Sequence, residues 1–216
     1  MNHPKILWGE GLFLRPQHFQ QQDAYHEARQ RELLFAAQPF AFGVGELDVD
    51  RDALYSGILR INRIDARMPD GERFHAPDTD LLPPDLSLDT LGGDAAEYII
   101  DLAVSPIRSH GRNCEAPDGA GNTCFVTHGA ERADLFSDAA PAEVITLRKQ
   151  ARLRARADAS ERSLRLPLLK LRRTVSGVFE IDSTFVPPSL SVKASPALQL
   201  RLHRLLDALK AKVNAL

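Results

Sequence analysis

Apolar positions change their spacing several times along the chain. Residues 1–16 hold Leu7, Trp8, Leu12, Phe13 and Leu14 in a stretch closed by Pro16, an extended terminal segment of the kind that docks on another surface. From Gln17 to Gln38 there is neither Gly nor Pro and helix formers abound, which predicts a helix stopped by Pro39. Its apolar residues Phe19, Tyr25, Leu34 and Phe35 fall on no single stripe, so the helix is largely polar and a candidate contact element.

Beyond Gly43 and Gly45 the period shortens to that of strands. Residues 58–68 are β-branched and charged, and Pro69-Asp70-Gly71 reverses the chain into Glu72–Phe74, which predicts a hairpin. Ala76–Gly93, with Pro77, Pro83, Pro84 and Gly92, reads as a long surface loop. Tyr98, Ile100, Leu102 and Val104 alternate with Ile99, Asp101 and Ala103, a strand ended by Ser105-Pro106. Leu147, Ala151, Leu153, Ala155 and Ala157 alternate with Arg148, Gln150, Arg152, Arg154 and Arg156, which predicts another strand with four arginines on one face. Leu164, Leu166 and Leu168 share one phase and Leu169 and Leu171 the other, a slip that places a β-bulge near Pro167. Ser176-Gly177 then turns the chain into Val178–Asp182, a second hairpin.

Ser195-Pro196 supplies an N-cap and a first-turn proline for a last helix. Leu198, Leu202, Leu205, Leu209, Val213 and Leu216 follow as a nearly heptad stripe that stops in mid-pattern. With no second helix to pack on except the one near the N-terminus, the stripe points to self-association or to a continuation of the chain. Many short strands between two terminal helices predict a mainly β fold, a β-sandwich or open barrel. Three segments result: an extended docking segment at 1–16, a helix plus sandwich at 17–190, and the start of a helical bundle at 191–216.

Composition adds boundaries to this picture. The 216 residues, 44% hydrophobic and 26% charged, describe an ordinary soluble protein and exclude wholesale disorder or collagen-like sequence. A chain of this length buries enough surface to be stable without disulfides, and Cys114 and Cys124 alone fit a reducing cytosol. No uncharged apolar run reaches the roughly 18 residues that span a membrane. The run around Leu7 and Trp8 is interrupted at Glu10 with no small-residue cleavage site after it, which argues against a signal peptide.

The net charge of −2 hides an asymmetry. Residues 1–147 carry 12 Lys/Arg against 24 Asp/Glu, a net of −12, whereas residues 148–173 carry 10 against 2, a net of +8. The basic block either faces the acidic half of its own domain, the reading adopted, or forms a nucleic-acid footprint over 148–156, the alternative function.

Little else carries chemistry. Gly43-Val44-Gly45 is a bare G-x-G with no third glycine and reads as a turn; no G-x-S-x-G elbow occurs, and the carboxylates are scattered over loops. The spacing His110-x3-Cys114-x9-Cys124-x3-His128 would suit zinc, which takes thiolate and imidazole in a tetrahedron, but a plain hairpin loop is the reading adopted. His18 and His26 read as surface or core residues. A non-enzymatic chain with no cofactor and no metal is expected.

Two motifs then add what patterning does not. Trp8-x-Glu10-Gly11-x-Phe13-Leu14-x-Pro16-Gln17-His18-Phe19-Gln20-Gln21 resembles the opening of the TssK family, baseplate subunits of type VI secretion systems. Phe185-Val186-Pro187-Pro188-Ser189-Leu190, followed by Ala194-Ser195-Pro196-x-Leu198, resembles a second stretch of the same family, in the same order. The resemblance implies a β-sandwich shoulder similar to those of phage receptor-binding proteins, followed by a helical bundle and a head. It further implies homotrimers that attach through their shoulders to a wedge of TssF and TssG, in the cytoplasm near the inner membrane. Heads in that family reach the membrane complex of TssL, TssM and TssJ. This sequence stops at Leu216, where the bundle should begin, so it resembles an N-terminal part with wedge attachment but no membrane-complex docking. Trp8, Leu12, Phe13, Leu14, Pro16, His18 and Phe19 are expected to form the partner or intersubunit surface, and Leu198, Leu202, Leu205 and Leu209 the bundle or oligomer helix.

Overall fold

The computed structural model describes residues 3–92, 95–119, 123–158 and 162–214. Gly93, the middle of the cysteine loop at 120–122, and Leu216 lie outside the described residues.

The first helix, α1, spans Pro16–Ala37 and carries no buried residue. Pro16 stands in its first turn, where a missing N–H costs nothing, and the backbone N–H of Arg15 donates to His18 Nδ1 at 3.1 Å. Its C-terminal half touches the body near the Pro69-Asp70-Gly71 turn. Arg31 pairs with Glu72 at 3.4 Å, and Gly71, at φ 90°, lies against Phe35, where a Cβ would come within 3.0 Å of the ring.

Two sheets share the main core. One is three-stranded, in the order β1 (Gly43–Val49), β3 (Ile61–Arg67), β4 (Arg73–Ala76), and all its pairs are antiparallel. The turn from Met68 to Gly71 joins β3 to β4, as its Pro-Asp-Gly sequence predicts. The other sheet has the order β10 (Arg152–Ala155), β6 (Glu97–Val104), β11 (Leu164–Arg173), β12 (Phe179–Ile181). Val44, Ile61, Ile64 and Phe74 from the first meet Ile100, Leu102, Leu166 and Leu171 from the second in one apolar cluster. Each such side chain contributes about 1.5–3 kcal/mol by leaving water. The predicted bulge is present: Pro167 pairs with Asp101 and Leu169 with Ile100, so Leu168 is the extra residue. The slip lets both Leu168 and Leu169 be buried, although they are neighbours in sequence. The turn at Gly177, φ 86°, joins β11 to β12.

Smaller elements close the rim. α2 (Arg51–Tyr55) and β2 (Ile58–Leu59) follow β1, and β2 pairs with β5 (Leu86–Ser87). β7 (Cys114–Glu115) runs parallel to β8 (Phe125–Arg132), which pairs along its whole length with β9 (Ala142–Lys149). The last helix, α3, spans Pro196–Asn214.

Several expectations are corrected. The segment 76–93 is not merely a surface loop: Asp80, Leu88 and Leu91 are buried, and β5 lies inside it. The basic stretch is not one strand. It breaks at Gln150–Ala151 into β9 and β10, which belong to different sheets, because the Gln150 N–H donates to Cys124 while Arg152 pairs with Ala103. Gly43-Val44-Gly45 opens β1 instead of making a turn. The Ser195 hydroxyl does not cap α3; it donates to the Phe185 carbonyl at 3.2 Å, within a buried joint.

Candidate docking surfaces

The N-terminal segment has no regular secondary structure and turns at Glu10-Gly11, where Gly11 adopts φ 77°. Trp8 stacks obliquely over the start of α1, its ring 6.3 Å from that of His18 and 6.4 Å from that of Phe19. The structure therefore brings together Trp8, His18 and Phe19. Leu12, Phe13 and Leu14 lie exposed between them, Phe13 at 79%, and Pro16 opens the helix. His18 serves locally as the acceptor that orders the helix start. An apolar run held on an ordered helix end without being covered can be bound with little further loss of entropy.

The second motif has a structural role that its residues alone do not disclose. The Val44 N–H donates to the Pro188 carbonyl and the Leu190 N–H donates to the Val44 carbonyl, both at 2.8 Å. Val44 and Ser189 thereby form a parallel bridge, and Gly43 lies so close that a Cβ would sit 2.6 Å from the Pro188 carbonyl carbon. This clasp is why glycine is needed at Gly43. It holds the chain entering β1 to the chain leaving for α3.

From the clasp α3 leaves the body. Ala197 is buried at its root, whereas Leu202, Leu205 and Leu209 are exposed, at 41%, 57% and 52%. Leu198 is half-buried. A groove of about 410 Å³ opens beside this root, lined by Tyr55, Phe179 and Phe185 together with Asp48, Arg51 and Glu180. Asp182 at its edge is committed to the fold. The Lys170 ammonium 2.7 Å away, with the hydroxyl and N–H of Thr184, holds its carboxyl well below the usual carboxylate range.

Arg148, Arg154 and Arg156 are engaged within their own chain. Arg148 donates to the carbonyls of Pro77, Thr79 and Asp80, Arg154 reaches Asp158 at 3.3 Å, and Arg156 reaches Asp101 at 3.2 Å. Lys149 pairs with Glu72 at 2.8 Å. A basic surface built to neutralise phosphates would leave these groups free; here they bond carbonyls and carboxylates of the same chain, so the nucleic-acid reading is not supported.

Among the described residues, no three His, Cys, Asp or Glu side chains come together as a metal set. His110 is exposed, and burial pushes the Cys124 thiol up to about 11, away from the thiolate that zinc takes. No described helix is long and apolar enough to cross a membrane. Patterning missed Asp80, Asp101 and Asp182, acids that the structure buries. It also missed the β8–β9 turn, where Leu135 and Phe136 are exposed at 86% and 96%.

Residues 18–216 match the family model described as "Bacterial Type VI secretion, VC_A0110, EvfL, ImpJ, VasE". The type VI secretion system baseplate component TssK1 of Pseudomonas aeruginosa is 30% identical across 98% of this chain, which spans about half (48%) of that relative. A chain in the solved TssK–TssF–TssG baseplate subcomplex is 29% identical with a TM-score of 0.88, covering 98% of this chain and 70% of that one. A chain in the baseplate complex of the type VI secretion system is 28% identical with a TM-score of 0.87, covering 100% and 69%. In fold alone, the crystal structure of TssK also agrees, with a TM-score of 0.82 over 94% of this chain and 46% of that one.

Proposed function

The chain belongs to the TssK family of bacterial type VI secretion baseplate proteins, and from that premise we propose that it is a non-enzymatic scaffold that attaches to a wedge of TssF and TssG. The observation that carries this reading is the pre-formed apolar patch of Trp8, Leu12, Phe13, Leu14 and Phe19, uncovered at the start of α1. Support comes from the similarity to a chain solved within a TssK–TssF–TssG subcomplex. Residues 1–16 are the docking segment, 17–190 the helix-bearing shoulder and 191–216 the first part of a bundle. In this reading the shoulders form homotrimers, with Leu198, Leu202, Leu205 and Leu209 facing the bundle seam. The protein works in the cytoplasm at the baseplate near the inner membrane. Contact with the TssL, TssM and TssJ membrane complex is assigned to a region outside these 216 residues.

The test is co-purification with TssF and TssG. Trp8→Ala combined with Phe13→Ala should abolish it while the β circular-dichroism signal and the melting temperature stay as in the parent. Retained co-purification, or loss of the fold in place of loss of binding, overturns the assignment of this surface.

A further inference from the structure

The loop that carries Leu12, Phe13 and Leu14 is closed at both of its ends by one side chain. At the helix end, the Arg15 backbone N–H donates to His18 Nδ1 at 3.1 Å while the His18 N–H donates to the Arg15 carbonyl at 3.0 Å. At the other end, the Trp8 ring lies 6.3 Å from the imidazole, tilted by 43°, and 6.4 Å from Phe19. A turn from Gly9 to Leu12, with Gly11 at φ 77°, folds the residues between. From Leu7 to Gln21, His18 is the only residue that is not exposed. A half-buried ring beneath exposed apolar neighbours is placed to support them, while they are placed to be touched.

The closure at Arg15 depends on the charge of the ring. An Nδ1 that accepts carries no proton, so the imidazole is neutral with its proton on Nε2. His18 stands at the third position of α1, where Glu or Gln ordinarily completes a capping box. Unlike those residues, histidine is the side chain whose charge ordinarily changes between about pH 5 and 8. Protonation would set an N–H on Nδ1 against the N–H of Arg15, two donors with no acceptor between them. It would also place positive charge at a helix N-terminus, where the free N–H groups disfavour it. The titratable and charged groups of the segment folded over this helix end are His3, Lys5, Glu10 and Arg15; α1 has no acid in its first turn, and Asp23 is the first along it. Among the described residues, none of these carboxylates bonds the imidazole.

We propose that His18 is the positioning residue of the docking patch: its neutral imidazole holds Leu12, Phe13 and Leu14 in their presented form, and its protonation releases the loop at Arg15. The inference rests on the reading that this patch meets TssF and TssG, and it adds to that contact a dependence on one proton.

Trp8 is the only tryptophan of the 216 residues, so its fluorescence reports on this loop without any partner. In the full chain its anisotropy should fall in one step between pH 8 and pH 5.5. His18→Gln, which keeps an acceptor at the same position at either pH, should hold the high value throughout, and His18→Ala should show the low value at both. Co-purification with TssF and TssG should follow the same order. The parent should bind about fivefold more weakly at pH 5.5 than at pH 8, the glutamine variant equally at both, and the alanine variant about fivefold more weakly at both, the size expected of one lost hydrogen bond. Circular dichroism confirms that all three chains are folded at both pH values. A parent anisotropy that does not change with pH overturns the dependence on the proton, and an alanine variant that matches the parent at pH 8 overturns the positioning role. A parent that binds TssF and TssG at neither pH overturns the wedge reading alone, because the Trp8 signal decides the role of His18 without them.

Discussion

Arg156 reaches Asp101 across the four-stranded sheet, Nη2 to Oδ1 at 3.2 Å, and that carboxylate is 1% exposed. Asp101 lies in an inner strand, at the position the alternation marks as outward, yet it is buried between β10 and β11 with the Arg156 guanidinium on its carboxylate. Arg156→Ala should therefore lower stability by about 1–3 kcal/mol, the usual consequence of stranding a buried acceptor. Urea unfolding measures it, and an unchanged midpoint would show that Asp101 finds water once Arg156 is gone.

Gly43 offers a second prediction. At φ 142°, with the Pro188 carbonyl carbon and oxygen both 2.6 Å from where a Cβ would stand, Gly43→Ala must either open the clasp or distort β1. A loss of about 1–3 kcal/mol is expected from strain of this kind. Gly92→Ala is the control, since nothing lies within 4 Å of its added Cβ and its φ is ordinary, and its melting temperature should match the parent's. Equal effects at the two glycines would remove the clasp from the account.

Acid sensitivity follows from Asp182. Its carboxyl is held below its ordinary value by Lys170 and Thr184, so the native state binds this proton less readily than the unfolded chain does. The stabilisation is complete above the unfolded value of about 4 and is lost as pH falls through the native one. Asp65, held down by Arg73, and Asp85, held down by Arg60, act in the same sense from more exposed positions. Urea unfolding compared at pH 7 and pH 3 should show a smaller drop for Asp182→Asn than for the parent. An identical drop would place the acid-sensitive charge elsewhere.

Much of the fold is legible in the sequence because local rules and tertiary needs agree there. The Pro-Asp-Gly reversal, the polar helix before Pro39 and the one-residue slip at Pro167 are each decided by backbone geometry within a few residues. The basic stretch is decided at long range. Its alternation persists from Leu147 to Ala157, but Asp80 and Leu81 hold Lys149 on one side while Ala103 takes Arg152 on the other, and no local pattern marks the break between two sheets. The same limit applies to the surfaces. That Trp8, Phe13 and Phe19 are candidate anchors can be read from aromatics beside a polar helix, whereas the part played by Pro188 appears only when Val44, far away in sequence, is brought beside it.

That meeting point has a mechanical meaning. The strand that follows α1 and the segment that precedes α3 are tied by two backbone hydrogen bonds on one residue, Val44. Tension along α3 therefore enters the β body beside the place where the chain arrives from α1, so the two helices share one mooring. A pull on α3 would be felt at the root of α1, with the sheets acting as the anchor block behind both.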